Sequence, residues 1–313
     1  MALNKLAFED FAQEIADKLQ EHYEGTTVTL RETMKNNGSK LTGVEIREKG
    51  ENVAPLIYLN EFYENYQQGE EDTDSIYDTV RLIYEQSKQQ LFECPVERLL
   101  DWEQVKDKIF FILVNAERNA ELLESVPHIK FLDLAFIFKI AAEETEKGTA
   151  VITVNDKLAQ SWNKNANEIA YVAEQNQCKL LGHVRVDKLT NALAEMAKRA
   201  GQEEEAELFA HAPDDIAGGA LVVTNSSMRY GAYAAFNEGL LSACTPGKEM
   251  DIAILPSSIH ECILTPITDD EDMKLLKGLP RAVNGEAVKE QEVLSDNIYI
   301  YHKATDEIEI VEA

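Results

Sequence analysis

The first part of the chain shows two hydrophobic patterns in succession. Apolar residues from Leu6 to Leu19 recur two to four positions apart, which predicts an amphipathic helix over residues 4–22. The period then changes to two, which predicts a β-hairpin over residues 27–46 with its turn at Asn36-Asn37-Gly38.

Three further elements follow the hairpin. A short apolar run predicts a strand over residues 56–59. Asn60 is placed to cap a helix over residues 61–68, and Gly69 is placed to end it. Another helix is predicted over residues 75–91.

The strongest helical spacing in the chain follows Asp101. The apolar residues that fall on one helical face are Trp102, Val105, Ile109, Ile112, Leu113 and Ala116. The pattern predicts one amphipathic helix that begins at Asp101 and ends before Pro127.

Beyond Pro127, helices and strands follow one another without a regular order. Strands are predicted at 132–140, 150–154, 221–224, 251–264 (one bent strand or two strands), 297–301 and 308–310. Helices are predicted at 155–175, 188–200, 203–210, 229–242 and 270–278. Because steady strand–helix–strand alternation is missing, we expect an α+β fold with mixed or antiparallel sheets and packed helices.

Candidate domain boundaries lie near residues 145–155 and 212–219, where glycine, proline or charge interrupts the pattern. We therefore expect an N-terminal α+β subdomain over 1–150, a helical connecting region over 151–215 and a C-terminal α+β subdomain over 216–313.

The net charge of the chain excludes some classes of binding partner. Its 313 residues include 30 basic and 57 acidic side chains, a net charge of −27, and 44% of residues are apolar. The acid is spread evenly, with 30 acidic and 16 basic residues in the first 150. Such a surface repels nucleic-acid phosphates and anionic membranes, so we expect neither as a direct partner, whereas a basic protein is a possible one.

Targeting and cofactor signals are missing from the sequence. There is no apolar signal segment and no run long enough to span a membrane, so we expect a cytoplasmic protein. The four cysteines form no CxxC pair, and the nucleotide, nucleophile-elbow and zinc-protease motifs do not occur. We expect no metal and no cofactor, and the oligomeric state is left open.

The densest polar cluster within apolar sequence is Leu255-Pro256-Ser257-Ser258-Ile259-His260-Glu261. In an extended chain Ser258 and His260 share one face, and Ser257 and Glu261 share the other. Three interpretations stay open. The segment is a strand crossing whose polar groups satisfy the backbone, a site for ligand or partner recognition, or a catalytic serine–histidine pair with these four residues as candidates.

Six other residues are candidates for binding. Arg118 and Asn119 lie at the polar end of the long predicted helix, and His128 follows it. Asn225 ends a predicted strand, and Tyr230 and Gly231 begin the next helix with small residues that allow close approach of a backbone or ligand.

Several strings in order resemble an uncharacterised bacterial family of the Firmicutes, the domain of unknown function 5688. The strings include Asn115…Arg118-Asn119, Leu132-Asp133-Leu134-Ala135, Thr224-Asn225…Tyr230-Gly231-Ala232, Leu255 to Glu261 and Leu294-Ser295-Asp296. The resemblance implies a bacterial, cytoplasmic protein that is a complete unit. It implies no catalytic or binding residue, because no activity is established for the family.

Three functions follow as hypotheses. The first is a non-enzymatic binding or regulatory protein with an acidic surface. The second is a hydrolase that uses Ser257 or Ser258 with His260. The third is an acidic mimic of nucleic acid that inhibits a DNA-binding protein.

Overall fold

The computed structural model describes residues 5–50, 54–88, 96–145, 148–212, 219–245, 250–267, 273–274, 276–286 and 288–312. Two compact units divide the chain, one at Met1–Pro95 and one at Val96–Ala313. The boundary between them differs in position from the ones expected near 150 and 215, and that three-part division stays a prediction. None of the described helices is long and apolar enough to cross a membrane.

The first unit is a three-stranded sheet with helices. Its elements are α1 (Phe8–His22), β1 (Thr27–Met34), β2 (Lys40–Arg47), β3 (Leu56–Tyr58), α2 (Asn60–Gln68) and α3 (Thr73–Lys88). The strands are antiparallel in the order β1-β2-β3. The predicted helix, hairpin and third strand are confirmed, and the apolar stripe of α1 is buried in the core of the unit.

The end of α2 is as predicted, but its start is different. Gly69 adopts the left-handed conformation that terminates the helix, with φ of 80°. The Asn60 side chain accepts a hydrogen bond from the Thr42 backbone N–H at 2.9 Å, so it holds α2 to β2 and does not cap the helix.

The second unit begins with a four-stranded sheet. Its first elements are α4 (Val96–Leu100), α5 (Trp102–Val105), β4 (Ile109–Asn115), α6 (Ala120–Leu123), β5 (His128–Phe131), β6 (Leu134–Thr145), β7 (Gly148–Thr153), α7 (Asp156–Ser161) and α8 (Ala166–Leu181). The long strand β6 pairs with β4 on one edge and with β5 and then β7 on the other, all antiparallel.

A six-stranded sheet forms the rest of the second unit. Its elements are β8 (Val184–Lys188), α9 (Leu189–Arg199), α10 (Glu203–Ala210), β9 (Leu221–Asn225), α11 (Glu238–Cys244), β10 (Asp251–Pro256), β11 (Cys262–Ile267), α12 (Leu279–Glu286), β12 (Ile298–His302) and β13 (Glu307–Val311). The order is β13-β12-β10-β11-β9-β8, and every pairing is antiparallel. The predicted α+β class with antiparallel sheets is confirmed.

The predicted helix from Asp101 to Pro127 is wrong. In the first part of this range only Trp102–Val105 is α-helical. Ile109–Asn115 is the strand β4. Almost every residue of β4 is buried, because neighbouring residues pack into cores on opposite sides of the strand. A continuous apolar run satisfies helical spacing automatically, so the spacing did not discriminate between helix and buried strand.

Three more differences concern short elements. The pattern did not predict the strands β5 and β8, and the predicted helix over 229–242 is a 3-10 turn at Ala232–Phe236 followed by α11. Of the helix predicted over 270–278, residues 270–272 and 275 lie outside the described residues, whereas 273, 274 and 276 are helical.

The two faces of the six-stranded sheet have different environments. Side chains on one face, including Val223, Leu264 and Tyr299, are buried in the largest core of the unit. Alternation places Val222 and Ile263 on the opposite face, toward α9. That second face carries the candidate site.

Candidate functional site

A strained turn follows β9. Met228 and Tyr230 both have positive φ, 55° and 56°, a conformation that costs energy for bulky residues. Asn225 is fully buried at the start of the turn. Its amide group donates to the Arg229 carbonyl at 2.8 Å and accepts from the Ser227 hydroxyl at 2.8 Å. The buried amide therefore holds the turn in its strained shape.

Gly231 lies where this turn crosses the hairpin between β10 and β11. Its N–H donates to the His260 carbonyl at 2.9 Å. A Cβ atom at this position would lie 2.6 Å from Thr224 Oγ1 and 2.8 Å from the His260 carbonyl oxygen. Both distances are below van der Waals contact, so glycine is required for the close approach.

The segment Leu255 to Glu261 consists of the last two residues of β10 and the loop that leads to β11. Pro256 and Cys262 form the last pair of the β10–β11 ladder. Within the loop, the Ser258 hydroxyl accepts a hydrogen bond from the His260 backbone N–H at 3.0 Å. The hydroxyl is thus engaged with the backbone of its own loop.

The imidazole of His260 links the hairpin to the strained turn. Its Nδ1 accepts the Tyr230 backbone N–H at 2.9 Å. A backbone N–H can only donate, so the neutral ring carries its proton on Nε2, which lies 3.9 Å from Glu292 Oε1. Burial, together with the nearby Arg229 guanidinium, lowers the pKa of His260 against the opposing effect of Glu292, which favours this neutral form.

The described contacts do not join the Ser258 hydroxyl to the His260 ring as in a serine–histidine catalytic pair. The base of such a pair must present a free ring nitrogen to the serine hydroxyl. In the neutral ring of His260, Nδ1 accepts from Tyr230 and Nε2 carries the proton. His260 is therefore a hydrogen-bond donor toward its surroundings.

A cavity of about 570 Å³ opens beside His260, between α9 and the second face of the six-stranded sheet. Apolar side chains line it from α9, the sheet, the turn after β9, α12 and the segment after α12. They are Leu189, Ala192, Leu193, Met196, Val222, Met228, Ile263, Val283 and Val288. The polar lining residues are Arg185, Asp187, Glu195, Thr224, Ser257, Ser258, His260, Glu261 and Glu292. Apolar walls with a few convergent polar groups are typical of small-molecule sites.

The charged groups that line the cavity differ in whether a group of opposite charge lies beside them. Arg185 contacts Asp187 at 2.5 Å and Glu195 at 2.8 Å, and these contacts raise its pKa. Glu261 has no such partner among the described residues, and burial alone raises its pKa. The cavity thus holds one half-buried carboxyl group whose charge is not balanced.

The predicted residues Arg118 and Asn119 belong to a different cluster. Arg118 contacts Asp296 at 2.6 Å. Asn119 is buried and donates to the Asn115 carbonyl at 2.8 Å. These contacts lie at the junction of the four-stranded and six-stranded sheets.

Asp133 is the centre of that junction. Its carboxylate accepts hydrogen bonds from the Ser295 hydroxyl at 3.0 Å, the Asn297 amide at 3.0 Å and the Tyr299 hydroxyl at 2.7 Å. Burial, together with the neighbouring carboxylate, raises the pKa of Tyr299 far above its usual range. The Tyr299 hydroxyl therefore stays protonated and remains a hydrogen-bond donor. The cluster holds the turn before β6 to the segment around β12.

The structure thus distributes the predicted site residues over three places. Asn225, Tyr230, Gly231, Ser257, Ser258, His260 and Glu261 meet around the β10–β11 hairpin. Arg118 and Asn119 lie at the sheet junction, and His128 begins β5 with its Nδ1 bonded to the Val126 carbonyl at 3.0 Å.

Sequence reasoning missed Arg185, Glu195, Met196 and Glu292, which complete the cavity. The available signal was the spacing of Leu189, Ala192, Leu193 and Met196, one apolar face of a helix that otherwise carries charge. In the part of the chain that the structure describes, no three His, Cys, Asp or Glu side chains are placed to share a metal ion.

Comparison with known proteins gives one positive result. Neither the curated proteins nor the solved structures contain a match to the chain. The profile of a family of unknown function, DUF5688, matches residues 8–303, a range that includes the hairpin, the strained turn and Asp133. The resemblance predicted from the sequence strings is confirmed, and the chain belongs to the DUF5688 family of unknown function.

Proposed function

We propose that this protein is a non-enzymatic binding protein that holds a small, largely apolar ligand in the cavity beside His260. The observation that carries the proposal is the cavity itself, whose volume of about 570 Å³ lies in the range of small-molecule sites. Two apolar side chains stand exposed at the cavity, Met196 at 57% and Val283 at 39%. A ligand that covered them would gain hydrophobic free energy.

The groups around the cavity favour binding over catalysis. The Ser258 hydroxyl accepts from its own loop, and His260 offers a proton rather than a lone pair. Such groups orient a ligand by hydrogen bonds, but they do not activate a nucleophile. The net charge of −27 remains the sole support for a basic partner protein and for nucleic-acid mimicry, which we rank below ligand binding.

A cavity-filling substitution tests the proposal. The neutral fluorophore N-phenyl-1-naphthylamine is expected to bind the native protein with increased emission. Ala192→Trp places a large side chain on the cavity face of α9 and should weaken this binding about tenfold or more, because the space is occupied.

Ala200→Trp is the matched control, since Ala200 is exposed at the end of the same helix and does not line the cavity. It should leave fluorophore binding unchanged, and circular dichroism should report folded protein for both variants. A native protein that does not bind the fluorophore, or equal binding by both variants, would remove the support for a ligand cavity.

We further propose a cytoplasmic location. Cys178, Cys244 and Cys262 are free thiols, as is usual in a reducing compartment. Fractionation of cells that produce the protein checks this location, and recovery outside the cytoplasm would contradict it.

A further inference from the structure

The charge balance of the cavity indicates which ligands it accepts. Four carboxyl groups line it, those of Asp187, Glu195, Glu261 and Glu292, and Arg185 is the one guanidinium among its described lining residues. Two further guanidinium groups lie beside the lining, that of Arg199 at 3.7 Å from Glu195 and that of Arg229 near His260. Arg185 already contacts two of the carboxyl groups, and His260 is neutral. An anionic ligand would therefore be repelled, and a cationic one attracted.

The carboxyl groups are not equivalent partners for a cation. Asp187 and Glu195 are engaged by Arg185. Glu292 faces the protonated Nε2 of His260 at 3.9 Å. Glu261 is half-buried, lines the apolar space and has no partner among the described residues. A buried carboxylate without a counter-charge is unfavourable, so a ligand cation gains most by contact with Glu261.

The apolar walls of the rest of the cavity favour a ligand whose remaining atoms, next to the cationic group, are apolar. The wall opposite the sheet is the apolar face of α9, and Met196 is an unbranched, adaptable side chain suited to ligands of irregular shape. A small hydrophilic cation would leave these surfaces uncovered.

We infer that the cavity selects small molecules with an apolar body and a primary amine, and that Glu261 receives the ammonium group. This inference rests on the proposed binding function. The ammonium group would donate to the Glu261 carboxylate as a charge-assisted hydrogen bond, while the body lies between α9 and the sheet.

Three ligands of the same shape but different charge test the inference. They are 4-phenylbutylamine, 4-phenylbutanol and 4-phenylbutyrate, used to displace N-phenyl-1-naphthylamine from the full-length protein. The amine should displace the fluorophore at a concentration about tenfold lower than the alcohol, as a charge-assisted bond exceeds a neutral one, and the carboxylate should be the weakest of the three.

Glu261→Gln should reduce the preference for amine over alcohol to about twofold or less, while fluorophore binding persists. Glu261→Ala serves the same purpose if the glutamine variant does not fold. The control is Glu207→Gln, which removes the same charge from an exposed position on α10 and should keep the full preference.

The outcomes separate the two proposals. Equal displacement by amine and alcohol in the native protein, or a full preference retained without Glu261, overturns the amine selectivity and leaves the binding function standing. Loss of fluorophore binding in the native protein overturns the binding function, and the selectivity falls with it.

Discussion

At the scale of single residues, the candidate site depends on two segments that hold each other through their main chains. Tyr230 keeps a left-handed backbone because its N–H is bonded to His260 Nδ1. His260 in turn presents its carbonyl to both Gly231 and Thr224. The cost of the strained residue is thus offset by hydrogen bonds that also fix the orientation of the imidazole beside the cavity.

Gly231→Ala should destabilise the second unit by about 1–3 kcal/mol, because the new Cβ would overlap Thr224 Oγ1 and two backbone atoms. Chemical denaturation followed by tryptophan fluorescence measures this change. Gly285→Ala makes the same chemical change in α12, where nothing lies within 4 Å of the new atom, and should stabilise by about 0.5–1 kcal/mol. Equal effects of the two substitutions would contradict the close contact at Gly231.

His302 should make stability depend on pH. It lies between Asp251 at 2.8 Å and Glu309 at 3.0 Å, and these carboxylates raise its pKa above 6.5. A raised folded-state pKa contributes stability that is complete below the ordinary pKa and is lost as the pH rises through the folded-state value.

The difference in melting temperature between the native protein and His302→Gln should accordingly be larger at about pH 5.5 than at about pH 8.5. His211→Gln, an exposed change in the same unit, controls for the loss of a histidine. A difference that grows with pH would show that the carboxylates do not stabilise the protonated ring.

At the scale of elements, the carboxylate of Asp133 links the two sheets of the second unit. Asp133 lies in the turn between β5 and β6. Two of its donors, Ser295 and Asn297, come from the segment that leads into β12, and the third, Tyr299, lies in β12. The ion pair of Arg118 with Asp296 and the bond from Asn115 to the Leu294 carbonyl at 3.1 Å run beside it. The sheets are therefore joined by polar contacts as well as by apolar packing.

Asp133→Ala should cost about 3 kcal/mol or more in unfolding free energy, because it leaves three donors without their acceptor. Tyr299→Phe removes one of those donors and should cost about half as much. Asp107→Ala, at an exposed aspartate of the same unit, should stay within about 0.5 kcal/mol. Denaturation curves give all three values. An Asp133 effect no larger than the Asp107 effect would contradict the contribution of Asp133 to the stability of the sheet junction.

The elements also show which parts of the structure the sequence could predict. The hairpin β1–β2 was predictable because apolar and polar residues alternate in its strands and a turn separates them. The strand β13 gives the same signal, because Glu307-Ile308-Glu309-Ile310 alternates. β4 was not predictable, because its residues are apolar on both faces and fit either period. For the site, the polar string Ser257 to Glu261 was recognisable, but its proximity to Arg185 and Glu195 depends on strand pairings that no local pattern encodes.

At the scale of the whole molecule, each of the two units has its own core, so stability changes must be assigned to a unit. The chain provides a reporter for this purpose. Its two tryptophans, Trp102 and Trp162, pack 5.5 Å apart in a core of the second unit. Tryptophan fluorescence therefore follows the unit that contains the cavity, while circular dichroism follows both.

The connection between β8 and β9 has a consequence for changes in the wall of the cavity. Lys188 pairs directly with Leu221, and the Leu189 N–H donates to the Ala220 carbonyl at 2.9 Å, so the hairpin is already closed at the base of the segment between them. That segment, residues 189–220, includes α9 and with it one wall of the cavity. Because the β8–β9 ladder closes at the base of this segment, we expect substitutions within α9 to alter the wall of the cavity while the pairing of the sheet persists.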